Sequence, residues 1–399
     1  MYKTKKFKNR NFKKEGFNKR SRSRGAGKAP KKIDIHHYID QSKNTVPEAP
    51  HVLEHRFEDF NLNPELNIRL NQKGYQKPTE IQDKAIPMIM KGHDVIGIAG
   101  TGTGKTAAFL LPVINRLMEN QTDQYALVVT PTRELANQIA DEFKSFTKGL
   151  GLFYTSLIGG NRVDASLKSL SRKNHIIIGT PGRLIDMVKR GALKLENFKV
   201  LILDEFDRML DMGFLEDVAF LEQKMKSKEQ TLLFSATMEA SQQAQVTKMT
   251  NDPVMVKAGK GTQNTGAIAQ EVIKVPSGQK KIDFLKHIIN QEDQQKIILF
   301  CETKRKVDLI HKTLNQASIT TDMIHGDKTQ KAREVALRKF KNGKIQVLVA
   351  TDVVARGIDI TDIALVINYE VPRNYNDYVH RIGRTGRAGK SGRAITFLD

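Results

Sequence analysis

The chain has 399 residues, 39% of them apolar, and carries 65 Lys/Arg against 44 Asp/Glu, a net charge of +21. That length fits about two to three globular domains, and the single cysteine, Cys301, excludes a disulfide framework or a multi-cysteine zinc site. No apolar run nears the ~18 residues of a membrane span, and the opening MYKTKKFKNR lacks the apolar stretch of a secretory signal. The expectation is a reduced, cytoplasmic, soluble protein with no membrane partner.

Charge is unevenly spread. Residues 1–32 hold 14 Lys/Arg and one acid, Glu15, whereas the other 367 residues hold 51 and 43. A basic cluster of this kind is drawn to polyanions, nucleic acid first among them, with solubility as the plainer alternative. Residues 1–50 are poor in branched apolar residues and read as a disordered basic tail. Phe7, Phe12 and Phe17 recur every five residues, a step that makes neither a helix face nor a strand face. Rings among cations suit stacking on single-stranded bases; incidental aromatics or a transit peptide are the other readings.

From about residue 55 short apolar strands alternate with helical patterns. The strands are VIGIA (95–99), YALVVT (125–130), HIIIGT (175–180), VLILD (200–204) and TLLFSAT (231–237). Continuous apolar strands predict a parallel sheet covered on both faces. AGKGTQNTG (258–266), with three glycines and no large apolar residue, predicts a linker. Strands resume at IILFC (297–301), TDMIH (321–325), QVLVAT (346–351), ALVINY (364–369) and RAITFL (393–398). The fold class is therefore α/β, with two tandem parallel-sheet domains at 51–257 and 267–399. The second is expected to end with the chain.

AGTGTGKT (99–106) follows the first strand. It fits the phosphate loop G-x-x-x-x-G-K-[ST] except that Ala99 replaces the first glycine. Gly100, Thr101, Gly102, Thr103 and Gly104 allow a tight loop whose N–H groups face phosphate oxygens. Lys105 would neutralise the β- and γ-phosphates, and Thr106 would ligate Mg²⁺. A glycine-rich surface turn is the bland alternative. DEFD (204–207) ends the strand VLIL, at the edge where open parallel sheets bind ligands. Asp204 is expected to hold the metal and Glu205 to orient or deprotonate water. Acids at a strand end also cap helices, so it is the pairing with GKT that gives the motif weight.

With these residues in place, positions 55–399 resemble a DEAD-box ATP-dependent RNA helicase, whose two domains are RecA-like and flank a cleft. Phe206 stands where the family usually has alanine; its side chain is expected to point into the core. The resemblance implies an RNA-dependent ATPase with ATP and Mg²⁺ as cofactors, RNA bound through phosphate and sugar, and a monomer. GYQKPTEIQ (74–82) is similar to the adenine-recognition element, with Gln82 on the adenine edge and Thr79 supporting the phosphate loop. Phe57, 17 residues before Gly74, matches the ring that stacks on adenine; core packing, or Phe60 in its place, stays open. Asp207, Ser235 and Thr237 would couple nucleotide state to RNA. Pro131, Thr132 and Arg133, Gly159 and Gly160, and Thr180, Pro181, Gly182 and Arg183 are implied RNA contacts, as are Gln330, Arg333, Thr351 and Asp352. Asp359 matches a residue near the ATP ribose. Arg384 and Arg387, in HRIGRTGR (380–387), match arginine fingers that reach the γ-phosphate across the cleft. Two further functions fit the same residues: an ATP-dependent RNA clamp with little unwinding, and a tail-driven RNA-binding protein whose ATPase core is idle.

Overall fold

The computed structural model describes residues 35–43, 51–100, 102–120, 125–238, 240–258, 268–292, 295–352, 362–386 and 391–398. The first sheet has seven parallel strands: β1 (Val95–Ile98), β2 (Ala126–Val129), β3 (Tyr154–Leu157), β4 (Ile176–Gly179), β5 (Val200–Leu203), β6 (Gln230–Ser235) and β7 (Val254–Lys257). Their spatial order is β3-β4-β2-β5-β6-β1-β7. Every residue of β2, β4, β5 and β6 is buried, as unbroken runs of branched side chains require. Alternate residues feed two apolar layers. Val128, Ile178, Ile202 and Phe234 face one way; Val129, Ile177, Leu203 and Leu233 face the other.

The second sheet has six parallel strands: β8 (Ile268–Lys274), β9 (Lys296–Phe300), β10 (Thr321–Ile324), β11 (Val347–Ala350), β12 (Ile363–Asn368) and β13 (Gly392–Leu398). Their order is β10-β11-β9-β12-β13-β8. The α/β class with two parallel sheets is thus as expected, and we call the halves lobe one and lobe two. Three strands escaped the sequence reading. β3 alternates between half-buried and buried positions, β8 is buried only at Ile268, and β7 only at Val256, so none shows a continuous buried apolar run. Ala258 still bonds to the Ile98 carbonyl at 3.1 Å; the remainder of the expected linker lies outside the described residues.

Helices start where the sequence supplies caps. Thr132 accepts the Leu135 N–H ahead of α5 (Arg133–Thr147), and Thr329 accepts the Ala332 N–H ahead of α13 (Gln330–Lys341). Asn374 caps the last helix, α14 (Tyr375–Ile382). The other helices are α1 (Ile35–Lys43), α2 (Pro64–Gln72), α3 (Glu80–Met90), α4 (Lys105–Asn120), α6 (Val163–Leu170), α7 (Pro181–Lys189), α8 (Phe206–Asp211), α9 (Leu215–Lys224), α10 (Ala240–Met249), α11 (Lys281–Gln291) and α12 (Lys304–Gln316). Helix α1 corrects the reading of residues 1–50 as uniformly disordered. Ile35, Tyr38 and Ile39 fall at i, i+3 and i+4, and both isoleucines are buried.

Candidate nucleotide and nucleic-acid site

Sheet order sorts the sequence motifs into two groups. The phosphate loop follows β1, SAT follows β6 and DEFD follows β5, and these three strands are adjacent. On the other half, Gly159–Gly160 follow β3, TPGR follows β4 and PTREL follows β2, again three adjacent strands. Segments far apart in the chain therefore meet at one carboxyl edge, nucleotide motifs on one side and RNA motifs on the other.

In the phosphate loop Gly102 and Gly104 adopt φ of 78° and 91°, in the left-handed region that a side chain disfavours. The Lys105 ammonium folds back on the loop, donating to the Ala99 and Gly100 carbonyls at 2.6 and 2.9 Å. Thr103 also bonds the Gly100 carbonyl, and Thr106 lies in the first turn of α4. Gln82 is 2% exposed. Its carboxamide oxygen accepts the Thr79 N–H at 2.9 Å and its amide donates to the Gly104 carbonyl at 3.1 Å. A Cβ on Gly104 would lie 2.4 Å from Gln82 Nε2, and with the positive φ this favours glycine there. Gln82 and Thr79 thus tie α3 to the phosphate loop. Phe57 is 3% exposed, with Phe60 and Tyr75 packed edge-on against its ring, in the lobe-one core. Thr101 lies outside the described residues.

Asp204 and Glu205 end β5 side by side but in different electrostatic settings. Burial pushes the Asp204 carboxyl up to about 7; Lys105 pulls it down, and the neighbouring Glu205 charge raises it. Burial raises Glu205 as well, but Arg208, Arg384 and Lys105 together outweigh it, and the carboxyl sits below its ordinary range. Its Oε2 is 2.5 Å from Arg208 Nη1. Arg384 belongs to lobe two, is 4% exposed and donates through Nε to the His380 carbonyl. Glu205 therefore pairs with a guanidinium of its own lobe and feels the charge of a second one from lobe two. Arg208 was missed in the sequence, although its position three residues after Glu205, the N-cap residue of α8, was a usable signal.

Asp207 joins DEFD to SAT. Its Oδ2 accepts the N–H groups of Ala236 and Thr237 at 3.2 and 3.1 Å and the Thr237 hydroxyl at 3.2 Å; its own N–H donates to the Ser235 hydroxyl. Phe206 is 1% exposed, within the apolar layer of Leu203, Met209, Val218 and Leu221.

The RNA motifs also converge. The Arg133 guanidinium lies over Gly159 and Gly160: a Cβ at either would come within 2.8 or 2.5 Å of its nitrogens. Thr180 and Pro181 open α7 ahead of Gly182, and Arg183 donates to the Ser166 hydroxyl and the Asn161 carbonyl. Pro131 and Thr132 are buried at the start of α5. Gln330 and Arg333, expected on RNA, are instead buried against lobe one. Arg333 Nη2 lies 2.6 Å from Glu134 Oε1, and beside it Asn137 donates to Glu334 at 3.2 Å. Asp352 likewise takes both of its oxygens to Arg381, at 2.6 Å each, while Arg381 also bonds Asn368 and covers the Phe300 ring. Thr351 follows β11 directly, with its N–H on the Ile324 carbonyl. Glu134, Glu334 and Arg381 went unassigned in the sequence because their roles depend on partners more than 28 residues away. Asp359 and Arg387 lie outside the described residues.

Residues 79–246 match the DEAD/DEAH box helicase family and residues 280–389 the helicase conserved C-terminal domain. The chain is 43% identical over 343 residues to the DEAD-box ATP-dependent RNA helicase CshA of Streptococcus pneumoniae, covering 86% of this chain and 65%, just under two thirds, of that relative. It is 41% identical to the RNA helicase CrhR of Synechocystis, covering 86% and 70%. Among solved structures, Dbp5 of S. cerevisiae bound to RNA and ADP BeF3 superposes with a TM-score of 0.78 at 30% identity, covering 86% of this chain and 89% of that one. A DEAD box protein from Methanococcus jannaschii is closer in sequence, 38%, yet scores only 0.50, covering 86% and 93%. Strand order, motif placement and these likenesses agree: the chain belongs to the DEAD-box RNA helicase family.

Proposed function

We propose that the chain is an RNA-dependent ATPase that couples ATP binding and hydrolysis to local RNA duplex separation or remodelling of RNA–protein complexes. The observation that carries this reading is Glu205, paired with Arg208 of lobe one and also stabilised as a carboxylate by the charge of Arg384 from lobe two. A site built from both lobes is complete only while they are together. RNA spanning the two lobes would favour that state and so raise hydrolysis. Both halves of the site lie in one chain, which supports action as a monomer. We place the domain limits at 51–257 and 267–399.

The residues present fit ATP and Mg²⁺. Lys105 is bonded to carbonyls of its own loop, which phosphate oxygens could replace. Asp204 is a buried carboxyl that accepts the Glu205 backbone N–H, and a divalent cation would relieve its desolvation. Thr106 and Asp204 would hold Mg²⁺, which when bound neutralises charge on the phosphates. Glu205, kept ionised at neutral pH by its arginines, can accept a proton from an attacking water. Arg384, and by its motif Arg387, would stabilise charge on the transferred phosphoryl group; Asp359 would lie near the ribose. Asp207 would pass nucleotide state to SAT, and the strip from Arg133 to Arg183 would grip RNA phosphates without reading sequence.

The test is ATP hydrolysis with and without single-stranded RNA, with matched DNA as control and Glu205→Gln alongside. Stimulation by RNA alone, abolished in the variant, is expected. Hydrolysis indifferent to RNA would remove the reading in favour of a tail-driven RNA-binding protein. A strand-separation assay then tells a helicase from an RNA clamp.

A further inference from the structure

Helix α1 precedes lobe one in the chain but packs on lobe two. Ile35 is 1% exposed and Ile39 7%, and both belong to the apolar cluster containing Ile268, Ile298, Tyr378, Ile382 and Ala394. Tyr38 lies between two tyrosines of α14, its ring centroid 5.6 Å from that of Tyr375 and 5.9 Å from that of Tyr378. Tyr378 is itself buried and fixed through its hydroxyl to Gln270 of β8 at 2.6 Å. The outer face of α1 presents His36, His37 and Asp40 to solvent. The helix is amphipathic, and its apolar side is matched to a ready-made aromatic seat.

We propose that the face of lobe two formed by α14, β8 and β13 is a docking surface for the chain's own α1, and that α1 seated there straps lobe one to lobe two. The proposal rests on the two-lobe fold and not on the reading of activity. Lobe one begins at His51, so only residues 44–50 separate it from the end of α1. Eight Cα steps reach at most about 29 Å. While α1 is docked, the lobes are therefore joined twice: by this strap, covalent to lobe one and packed on lobe two, and by the chain between β7 and β8. The strap limits how far the cleft opens and raises the effective concentration of one lobe at the other. Either release of α1 or a longer strap should lower the closed fraction. Lengthening the strap fourfold, from seven to 28 residues, lowers it by up to about eightfold, from the −3/2 power dependence of closure on loop length.

The experiment uses the full chain labelled at Lys194→Cys and Lys312→Cys, exposed positions on the two lobes; Cys301 is buried and stays unlabelled. Single-molecule energy transfer is recorded without nucleotide or RNA, so the result is independent of whether the protein hydrolyses ATP. Three proteins are compared: the parent, Ile35→Asp with Ile39→Asp, and a variant carrying 21 Gly/Ser residues inserted after Pro47. The insertion changes no buried side chain, so it remains informative if the substituted protein folds poorly. Both variants should lose closed population relative to the parent, independent of protein concentration. An unchanged distribution in the insertion variant would overturn the strap. A loss that depends on protein concentration would overturn it too, since α1 would then dock between copies.

Discussion

The ion pair between Glu134 and Arg333 offers the sharpest test of how the lobes are held together. Both residues are buried, at 7% and 6% exposure, and the contact is 2.6 Å. It is short but poorly aligned: neither Glu134 oxygen nor Arg333 Nε has a hydrogen-bond partner meeting normal geometry. Burial, helped by the Arg133 charge, pushes the Arg333 pKa down, and Glu134 is the largest influence opposing it. Glu134→Gln would leave a buried guanidinium without its counter-charge whenever the lobes meet, whereas in separated lobes water would solvate it. Removing one partner of a buried pair costs about 3–5 kcal/mol. The poor alignment argues for the lower end, about 3 kcal/mol, or on the order of 100-fold in the closure equilibrium. Lobe closure measured by energy transfer in ATP and RNA should fall accordingly, and RNA-stimulated hydrolysis with it. Exchange of the two charges, Glu134→Arg with Arg333→Glu, should recover part of the loss, and the double-mutant cycle isolates the coupling. Unchanged closure in Glu134→Gln would refute the argument.

The remaining predictions concern single lobes. Asp207→Asn keeps the shape but removes the charge that accepts three bonds from Ala236 and Thr237; at about 1.5–3 kcal/mol per charged bond, duplex separation should fail while ATP binding, read by fluorescent-analogue titration, survives. Gln82→Ala frees the Thr79 N–H and the Gly104 carbonyl, and the KM for ATP should rise about tenfold, as expected for loss of a net ~1–1.5 kcal/mol. Arg381→Ala strands the Asp352 carboxylate and uncovers Phe300, costing lobe two about 3 kcal/mol, visible as a lower midpoint in denaturant. Phe206→Ala should cost about 3 kcal/mol of lobe-one stability by leaving a cavity, with Mg²⁺-ATP binding retained because Asp204 and Glu205 point elsewhere.

What the sequence disclosed followed from local pattern. Unbroken apolar runs marked β1, β2, β4, β5 and β6, because strands buried on both faces need them; β3 and β8, only partly buried, left no such mark. GKT and DEFD were legible because phosphate and metal chemistry demands particular residues at fixed spacing. The partners of Arg333 and Asp352 were not. Glu134 lies 199 positions from Arg333, and nothing in either neighbourhood indicates the other. Helix α1 was hidden by its setting: three apolar residues beside a strongly basic stretch make a weak helical signal alone, and only the aromatic seat on lobe two gives them something to bury against.

The contacts between lobes point to an energetic design. A site completed across a cleft works as a switch only if closure is near balance before the substrates arrive, since a ligand shifts an equilibrium by no more than its differential affinity for the two states. Among the described residues, interactions that cross the cleft include the misaligned Glu134–Arg333 pair, the Asn137–Glu334 bond at 3.2 Å and the charge of Arg384 acting on Glu205. A large apolar interface would hold the lobes closed regardless of ligand; charged groups that water can solvate once the lobes part leave the open state accessible. In that setting a strap is the economical addition, because it favours encounter of the lobes without adding any contact that ATP hydrolysis would later have to break.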